Sequence, residues 1–142
     1  MIVTIRSATA EDEPAVVQLW QACDLVVTYN DPGADFRFAK IGPCSDVLVG
    51  EDDIGQMVGS VMVGHDGHRG WLYYLAASPA FHSMGVGRQM VQAAEDWLRQ
   101  KGVVKAQLLV RDTNTKVVSF YEHLGFEVSP RVIMSKWLVK PP

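Results

Sequence analysis

The 142-residue chain is poor in cysteine, and this scarcity excludes several kinds of protein. Its only two cysteines, Cys23 and Cys44, show neither a CxxC pair nor any other spacing typical of metal ligands. A disulfide framework is not expected in a chain of this size. Neither cysteine has a neighbouring histidine that would favour a nucleophilic role, and we interpret both as small, partly buried thiols.

Long apolar runs and blocks of one charge are also missing. No apolar stretch approaches the roughly 20 residues that span a bilayer, and residues 1–6 lack the basic and apolar segments of a signal peptide. We therefore expect a cytoplasmic protein without a membrane partner. The net charge is −3, with 13 Lys and Arg dispersed among 16 Asp and Glu, so nucleic acid is not expected as a partner.

The hydrophobic pattern alternates between strand and helix along the whole chain, and no repeat or linker divides it. Strands are predicted at residues 3–6, 47–51, 57–64, 71–77, 105–110 and 133–138, and helices at 9–21, 36–41, 85–101 and 115–124. Tight turns at 52–55 and 65–70 indicate three consecutive antiparallel strands, and Thr9 with Asp12 has the spacing of a capping box. The chain is therefore predicted to be one α/β (α+β) domain over residues 1–142, with a largely antiparallel sheet.

Two local features carry further expectations. Residues 28–35 are predicted to form a polar loop around the turn signal Asn30-Asp31-Pro32-Gly33. Tyr73 and Tyr74 occupy adjacent strand positions and are expected to face opposite sides of the sheet, one towards a pocket and one towards the core. Trp97 is expected in the core.

The most informative segment is residues 75–88, where a strand is followed by Gly85, Gly87 and an amphipathic helix. Glycines allow a ligand to approach the backbone closely, and the first helical turn offers free N–H donors to a phosphate. Arg88 would add a charge-assisted contact. A tight strand-to-helix connection is the alternative explanation of the two glycines. A P-loop is excluded because GxxxxGK[ST] is absent, and a dinucleotide fingerprint is excluded by Met90 at its third small position.

Residues 82–87 resemble the signature of the GNAT family of N-acetyltransferases, in which Arg or Gln precedes two variable residues, Gly, one residue, and Gly or Ala. A second family signature is matched by Asn114, by Tyr121, and by Gly125 with Phe126. Both occur in the family's order, and residues 30–32 and 66–70 are similar to those of small bacterial YpeA-type members. The resemblance implies a mixed sheet of about six to seven strands, splayed in the middle, with about four helices on both faces.

The resemblance implies acetyl-CoA as co-substrate, with its pyrophosphate on backbone amides and its pantetheine arm along the strand. The implied contacts are Leu75, Ala77, His82, Ser83, Met84, Gly85, Val86, Gly87, Arg88, Asn114 and Tyr121. A backbone N–H at Leu75 or Ala76 would stabilise the oxyanion, and Tyr121 would protonate the departing thiolate. Asn114 is equally suited to cap the helix that follows it.

The chain departs from the family pattern at three places, one of which is Ser83 and Met84 in place of residues that are often glycine and a cation. His82 replaces the usual arginine or glutamine, and strand 71–77 has no carboxylate to deprotonate the amine. The general base therefore stays open among Asp31, Glu51, Asp66, His68 and a water relay. Candidate acceptor-side residues are Tyr29, Asn30, Asp31, Asp66, His68 and Tyr73. A metal site at 65–68 is disfavoured because no third and fourth ligand is apparent.

The resemblance implies an acetyl-CoA-dependent N-acetyltransferase that moves an acetyl group to a primary amine by direct attack in a ternary complex. The acceptor is left open between a small-molecule amine and a peptide or protein amine. The alternative is a non-catalytic CoA-binding sensor, which His82 and the missing carboxylate favour and Tyr121 disfavours. A structural role with an incidental GxG also stays open, and family resemblance allows a homodimer.

Overall fold

The computed structural model describes residues 1–141, which form two compact units, Met1–Leu108 and the residues from Leu109 onward. The strands are β1 (Thr4–Ser7), β2 (Ser45–Glu51), β3 (Met57–His65), β4 (Gly70–Ala77) and β5 (Ala106–Gln107). The helices are α1 (Glu13–Ala22), α2 (Pro32–Ile41), α3 (Val86–Gln100) and, in the second unit, α4 (Thr115–His123). That residues 1–142 act as one domain stays a prediction, and Pro142 lies outside the described residues.

The sheet has the order β1-β2-β3-β4-β5, antiparallel as far as β4, with β5 parallel to β4. The predicted run of three antiparallel strands is therefore confirmed. The β4–β5 ladder consists of Gly70 opposite Ala106 and Trp71 opposite Gln107. Beyond Trp71, β4 pairs only with β3 within the Met1–Leu108 unit, so the pairing of β4 with β5 ends where the resemblance implied that the strands separate.

The number of strands differs from the expectation. The sheet has five strands among the described residues instead of six to seven, and the strand predicted at 105–110 is reduced to Ala106–Gln107. The strand predicted at 133–138 is wrong, because those residues form no ladder in the structure, and Leu138 is 91% exposed. Apolar alternation indicates which residues suit a pleated surface, but a strand also requires a backbone partner, which alternation does not supply.

Helices α1 and α2 cover one face of the sheet around a buried cluster. Trp20 and Phe36 are its largest members, and both are almost fully inaccessible. They pack with Val47 and Val49 of β2. The indole Nε1–H of Trp20 donates to the buried Ser60 Oγ at 2.9 Å, which satisfies two polar groups that would be costly to bury alone.

Helix α3 covers the other face, and its predicted apolar stripe is confirmed by the burial of Val86, Met90, Val91, Ala94 and Leu98. Glycines beneath the helix allow it to lie close to the sheet. A Cβ on Gly59 would lie 2.7 Å from Val86 Cγ1, and one on Gly70 would lie 2.6 Å from Leu98.

Trp97, expected in the core, is instead half-buried. Its ring lies 6.3 Å from that of His65 and beneath the ammonium of Lys101. Both cysteines were expected to be partly buried. Cys23 is half-buried, as expected, whereas Cys44 is exposed.

The loop predicted at residues 28–35 is wrong in its second half, because α2 already begins at Pro32. Asp31 is its N-cap and accepts a hydrogen bond from the Ala34 amide at 3.1 Å. Aspartate at the N-cap followed by proline at the first helical position is a strong helix start. Asn30-Asp31-Pro32-Gly33 fits a turn as well as a helix start, and for this reason the sequence pattern predicted a turn where the helix begins. None of the described helices has the length and apolar composition needed to cross a membrane.

Candidate functional site

The connection between β4 and α3 presents a set of main-chain N–H groups without protein acceptors. In the described structure these are the amides of Ser83, Gly85, Val86, Gly87 and Arg88. His82 and Met84, also predicted to contact the ligand, instead donate their amides to Pro79 and Phe81 carbonyls at 3.3 and 3.2 Å. We call the five unpaired amides the amide cradle. With the positive end of the 15-residue helix α3 behind it, the cradle suits a phosphate or pyrophosphate.

The cradle depends on residues with unusual backbone conformations. Gly85 has φ +80° and Ser83 has φ +63°, both in the left-handed region. The turn therefore directs successive N–H groups into one concavity. A Cβ added to Gly85 would meet no atom within 4 Å, so glycine is favoured there by its conformation and not by lack of space.

Strand β4 contains a bulge immediately before the predicted cofactor contacts. Tyr73 pairs with Met62 and Ala76 pairs with Ser60, so Tyr74 and Leu75 together oppose the single residue Val61. Tyr74 has φ +52°, as bulged residues can. The extra residue interrupts the ladder, so main-chain groups at this point are left for a ligand.

The bulge also overturns the expectation that Tyr73 and Tyr74 face opposite sides of the sheet. Both line the same groove, on the side of α1 and α2. The period-2 rule applies to a regular pleat, whereas the left-handed residue Tyr74 turns its side chain back to the face that Tyr73 and Ala76 occupy.

Within the Met1–Leu108 unit, the edge of β4 beyond Trp71 has no strand partner on the side away from β3. Ser78 donates its amide to Val58 of β3 at 2.7 Å, and main-chain groups alternate between the two edges of a strand. Ala77 and Leu75 therefore direct their main-chain groups towards the open edge, as required for an extended ligand arm. The Cys23 thiol donates to the Ala77 carbonyl at 3.3 Å, and burial raises the pKa of that thiol.

A groove of about 640 Å³ lies in the Met1–Leu108 unit between α2 and strands β3 and β4. This volume is typical of small-molecule sites. Its lining residues are Asn30, Asp35, Phe38, Ala39, residues 41–45, residues 62–66, Trp71, Tyr73 and Tyr74. Three predicted acceptor-side residues therefore line the groove, namely Asn30, Asp66 and Tyr73. Tyr29, Asp31 and His68 are not among its lining.

Asp35 is the lining carboxylate that the sequence analysis missed. The Tyr74 hydroxyl donates to its Oδ2 at 2.6 Å, and the Tyr74 ring stacks on Trp20 at 3.9 Å with an interplanar angle of 10°. Burial and the neighbouring Asp35 carboxylate raise the pKa of Tyr74 well above its usual range. The sequence offered one indirect signal of this site. In the helix predicted at 36–41, the apolar residues Phe38 and Ile41 lie outside the stripe formed by Phe36 and Ala39, which is the buried one.

Asp66 also lines the groove, but its carboxylate is used by the turn between β3 and β4. Oδ1 accepts from the amides of His68 and Arg69 at 2.9 and 2.7 Å, and Oδ2 accepts from Trp71 Nε1 at 3.2 Å. These hydrogen bonds lower the pKa of Asp66 to about 2, so it is a poor proton acceptor at neutral pH.

The other candidate bases have structural roles or lie outside the groove. Glu51 accepts from Arg6 Nε at 2.6 Å between β1 and β2. Asp31 caps α2, and His68 is exposed in the turn that Asp66 organises. None of them lines the groove.

Asn114 and Tyr121 belong to the second unit. Asn114 Oδ1 accepts from the Val117 amide at 3.4 Å, so the predicted capping role is present. Tyr121 is buried, with the rings of Phe120 and Phe126 edge-on at 5.1 and 5.5 Å. Burial raises the pKa of Tyr121 to about 12. Among the residues that the structure describes, no group of three or more His, Cys, Asp or Glu is placed to hold a metal.

Comparison with known proteins agrees with this geometry. The model of the acetyltransferase (GNAT) family matches residues 12–126. An acetyltransferase of Pectobacterium atrosepticum is 36% identical over 136 residues, covering 96% of each chain. One of Sodalis glossinidius is 35% identical, covering 92% of this chain and 91% of its own. The structure of the aminoglycoside N-acetyltransferase AAC(6')-Iy in complex with CoA shares the fold, with a TM-score of 0.82 at 19% identity, over 97% of this chain and 96% of that one.

Proposed function

The chain belongs to the GNAT family of acetyltransferases, and we propose that it moves an acetyl group from acetyl-CoA to a primary amine within one ternary complex. The observation that carries the proposal is the amide cradle at the start of α3, next in sequence to a strand with a bulge and an open edge. The cradle suits the pyrophosphate, and the open edge suits the pantetheine arm.

The cradle explains how binding survives the departure at His82. Five main-chain donors supply the pyrophosphate contacts, and main-chain donors do not depend on the side chain at that position. The exposed Arg88 adds one positive charge in the first turn of α3. Leu75 and Ala77 would pair with pantetheine as an added strand does, and Asn114 is proposed to contact the same arm.

In the proposed reaction the neutral amine attacks the thioester carbonyl carbon, so that a C–N bond forms and the C–S bond breaks. The amide of Leu75 or Ala76, at the bulge, donates to the developing oxyanion. The nitrogen loses one proton before the attack and one after it. The departing thiolate takes a proton from the Tyr121 hydroxyl, which is restored from solvent, so one proton is released overall.

Burial keeps Tyr121 protonated but also makes its hydroxyl a weaker acid. With a pKa of about 12 its hydroxyl holds its proton throughout the physiological range. Full proton transfer to a thiolate whose conjugate thiol has a pKa of about 8.5 is uphill. Its contribution is therefore the hydrogen bond that stabilises the developing thiolate, with transfer completed as the bond breaks.

Turnover tests the proposal. The parent and Tyr121→Phe are mixed with acetyl-CoA and a pool of primary amines, and release of the CoA thiol is followed. We expect kcat to fall by about 10²-fold or more in the variant, while most of the rise in Tm on adding CoA is retained, because the cradle supplies the larger number of contacts. If both proteins bind CoA and neither transfers acetyl, the chain is a CoA-binding module and the proposed reaction is wrong.

A further inference from the structure

The charge of the groove limits which amines it accepts. None of the described residues that line it is lysine or arginine, and its carboxylates are Asp35 and Asp66. The turn occupies both oxygens of Asp66. Asp35 is therefore the lining carboxylate left for a ligand, and a phosphate or carboxylate on the acceptor would find no cation there.

Asp35 is held in a fixed orientation. Its Oδ2 accepts the Tyr74 hydroxyl at 2.6 Å, and the Tyr74 ring is stacked on the buried Trp20. The Tyr74 hydroxyl is the one donor that the Met1–Leu108 unit shows for this carboxylate, and it contacts Oδ2 and not Oδ1. A half-buried carboxylate that accepts one hydroxyl still has acceptor capacity, and a donor that carries positive charge matches it best.

Apolar side chains lie beside Asp35 on the same helix. Phe38 and Ile41 follow it at three-residue intervals on α2 and line the groove, yet they are 79% and 80% exposed. Side chains at this spacing share one side of a helix. Large apolar groups exposed together at a groove indicate a surface that a ligand covers.

From this combination we infer that the acceptor is a primary ammonium carried on an apolar or aromatic body. Asp35 holds the ammonium, and Phe38 and Ile41 cover the body. Tyr73, which is 46% exposed, lines the same groove from β4. The inference rests on the proposed function and specifies its acceptor.

Three amines test the specificity. Phenethylamine and ethanolamine are both cationic at neutral pH and differ in their apolar body, and phosphoethanolamine adds an anion. We expect kcat/KM to be at least about tenfold higher for phenethylamine than for ethanolamine, and lowest for phosphoethanolamine. Preference for ethanolamine or phosphoethanolamine, or no transfer to phenethylamine, would overturn the inference.

Two variants test the residues. Asp35→Asn keeps an oxygen for the Tyr74 hydroxyl but loses the charge, and we expect kcat/KM for phenethylamine to fall by about 10- to 100-fold. Phe38→Ser is expected to narrow the preference for phenethylamine over ethanolamine. Matched controls are Asp53→Asn and Ile54→Ser in the β2–β3 turn, outside the groove, with Ile54 82% exposed. The controls should change neither the kcat/KM for phenethylamine nor the preference for phenethylamine over ethanolamine. Equal effects of the variants and the controls would contradict the roles assigned to Asp35 and Phe38.

A thermal shift with acetyl-CoA separates this inference from the proposed function. Every variant should retain the parent's rise in Tm, because neither Asp35 nor Phe38 belongs to the cradle. If acetyl-CoA shifts no Tm even in the parent, the proposed function fails. If the shift is normal and the amine preferences are wrong, the acceptor inference alone fails.

Discussion

Gly85 is the residue on which the amide cradle most clearly depends. It has φ +80°, and any other residue would be strained there although space is available. Gly85→Ala is expected to weaken CoA binding by about 1 kcal/mol or more, because relaxing the strain moves the N–H groups around it. The measurement is a calorimetric titration with CoA.

The matched control for that substitution is Gly102→Ala at the other end of α3. Gly102 has φ +82° and also has no neighbour within 4 Å of an added Cβ. Both variants should lose similar stability, since the backbone strain is similar. Only Gly85→Ala should lose CoA affinity, and equal losses of affinity would contradict the role of the cradle.

Tyr74 shows why the groove beside Asp35 could not be predicted from the sequence. A tyrosine with positive φ is rare, and nothing in the run Trp71-Leu72-Tyr73-Tyr74 indicates a bulge. Without the bulge Tyr74 would face α3, and Asp35 would lack its partner. The left-handed turn at Gly85 was predictable because glycine marks such a conformation directly. The groove beside Asp35 was not predictable, because no letter marks the bulge.

At the scale of elements, α3 and the sheet are in contact where the strands carry glycine. A Cβ on Gly59 would lie 2.7 Å from Val86 Cγ1 and 3.0 Å from Met90 Cγ, both on buried residues. Gly59→Ala is therefore expected to lower the free energy of unfolding by about 1–3 kcal/mol in urea titrations. Gly42→Ala, with no atom within 4 Å, is the control and should cost much less.

A double variant distinguishes overpacking from other effects of Gly59→Ala. Val86→Ala removes the methyl group that an alanine at residue 59 would meet. The double variant Gly59→Ala/Val86→Ala should lose less free energy of unfolding than the sum of the losses in the two single variants. Additive losses would show that the close approach of α3 is not the cause.

The link between β1 and the start of α1 makes stability depend on pH. Asp12 accepts from Arg6 Nη1 and from the Thr9 amide, both at 2.7 Å, and these bonds, that from Arg6 foremost, lower its pKa from 3.8 to about 2. A pKa lowered by folding stabilises the protein above the unfolded value, and that contribution is lost as pH falls towards 2.

Asp12→Asn tests that link. It should cost about 1 kcal/mol at pH 6, a modest value because Arg6 is partly exposed, and almost nothing near pH 2. Unfolding by urea across this range is the measurement, with Asp53→Asn as control. A cost independent of pH would show that the charge of Asp12 is irrelevant.

Most elements were predictable because their signals are local. The periodic stripe of α3, the turns around β3 and the capping pair Thr9 and Asp12 each depend on neighbouring residues. The strand at 133–138 was wrong because pairing depends on a distant partner. The early start of α2 was missed because Asn30-Asp31-Pro32-Gly33 encodes a turn and a helix cap with the same letters.

For the whole molecule, the family follows from two short motifs and their order, whereas the acceptor depends on tertiary placement. The cofactor motifs and Tyr121 could be matched from the sequence alone. Asp35, Phe38 and Ile41 become a candidate site only when α2 lies over β3 and β4 around one groove. The substitutions described above test the proposed roles of Asp35, Phe38 and Tyr121.

The most direct test of the central claim is a thermal-shift titration of the parent protein with acetyl-CoA, CoA and NAD in parallel. Ligand at 100 times its dissociation constant should stabilise the fold by about 2.7 kcal/mol. We predict a rise in Tm with acetyl-CoA and with CoA but none with NAD, because we propose that the cradle holds a pyrophosphate whose pantetheine arm continues along the open edge of β4. No rise with either CoA species would contradict the account, and the turn at Gly85 would then be only a connection between β4 and α3.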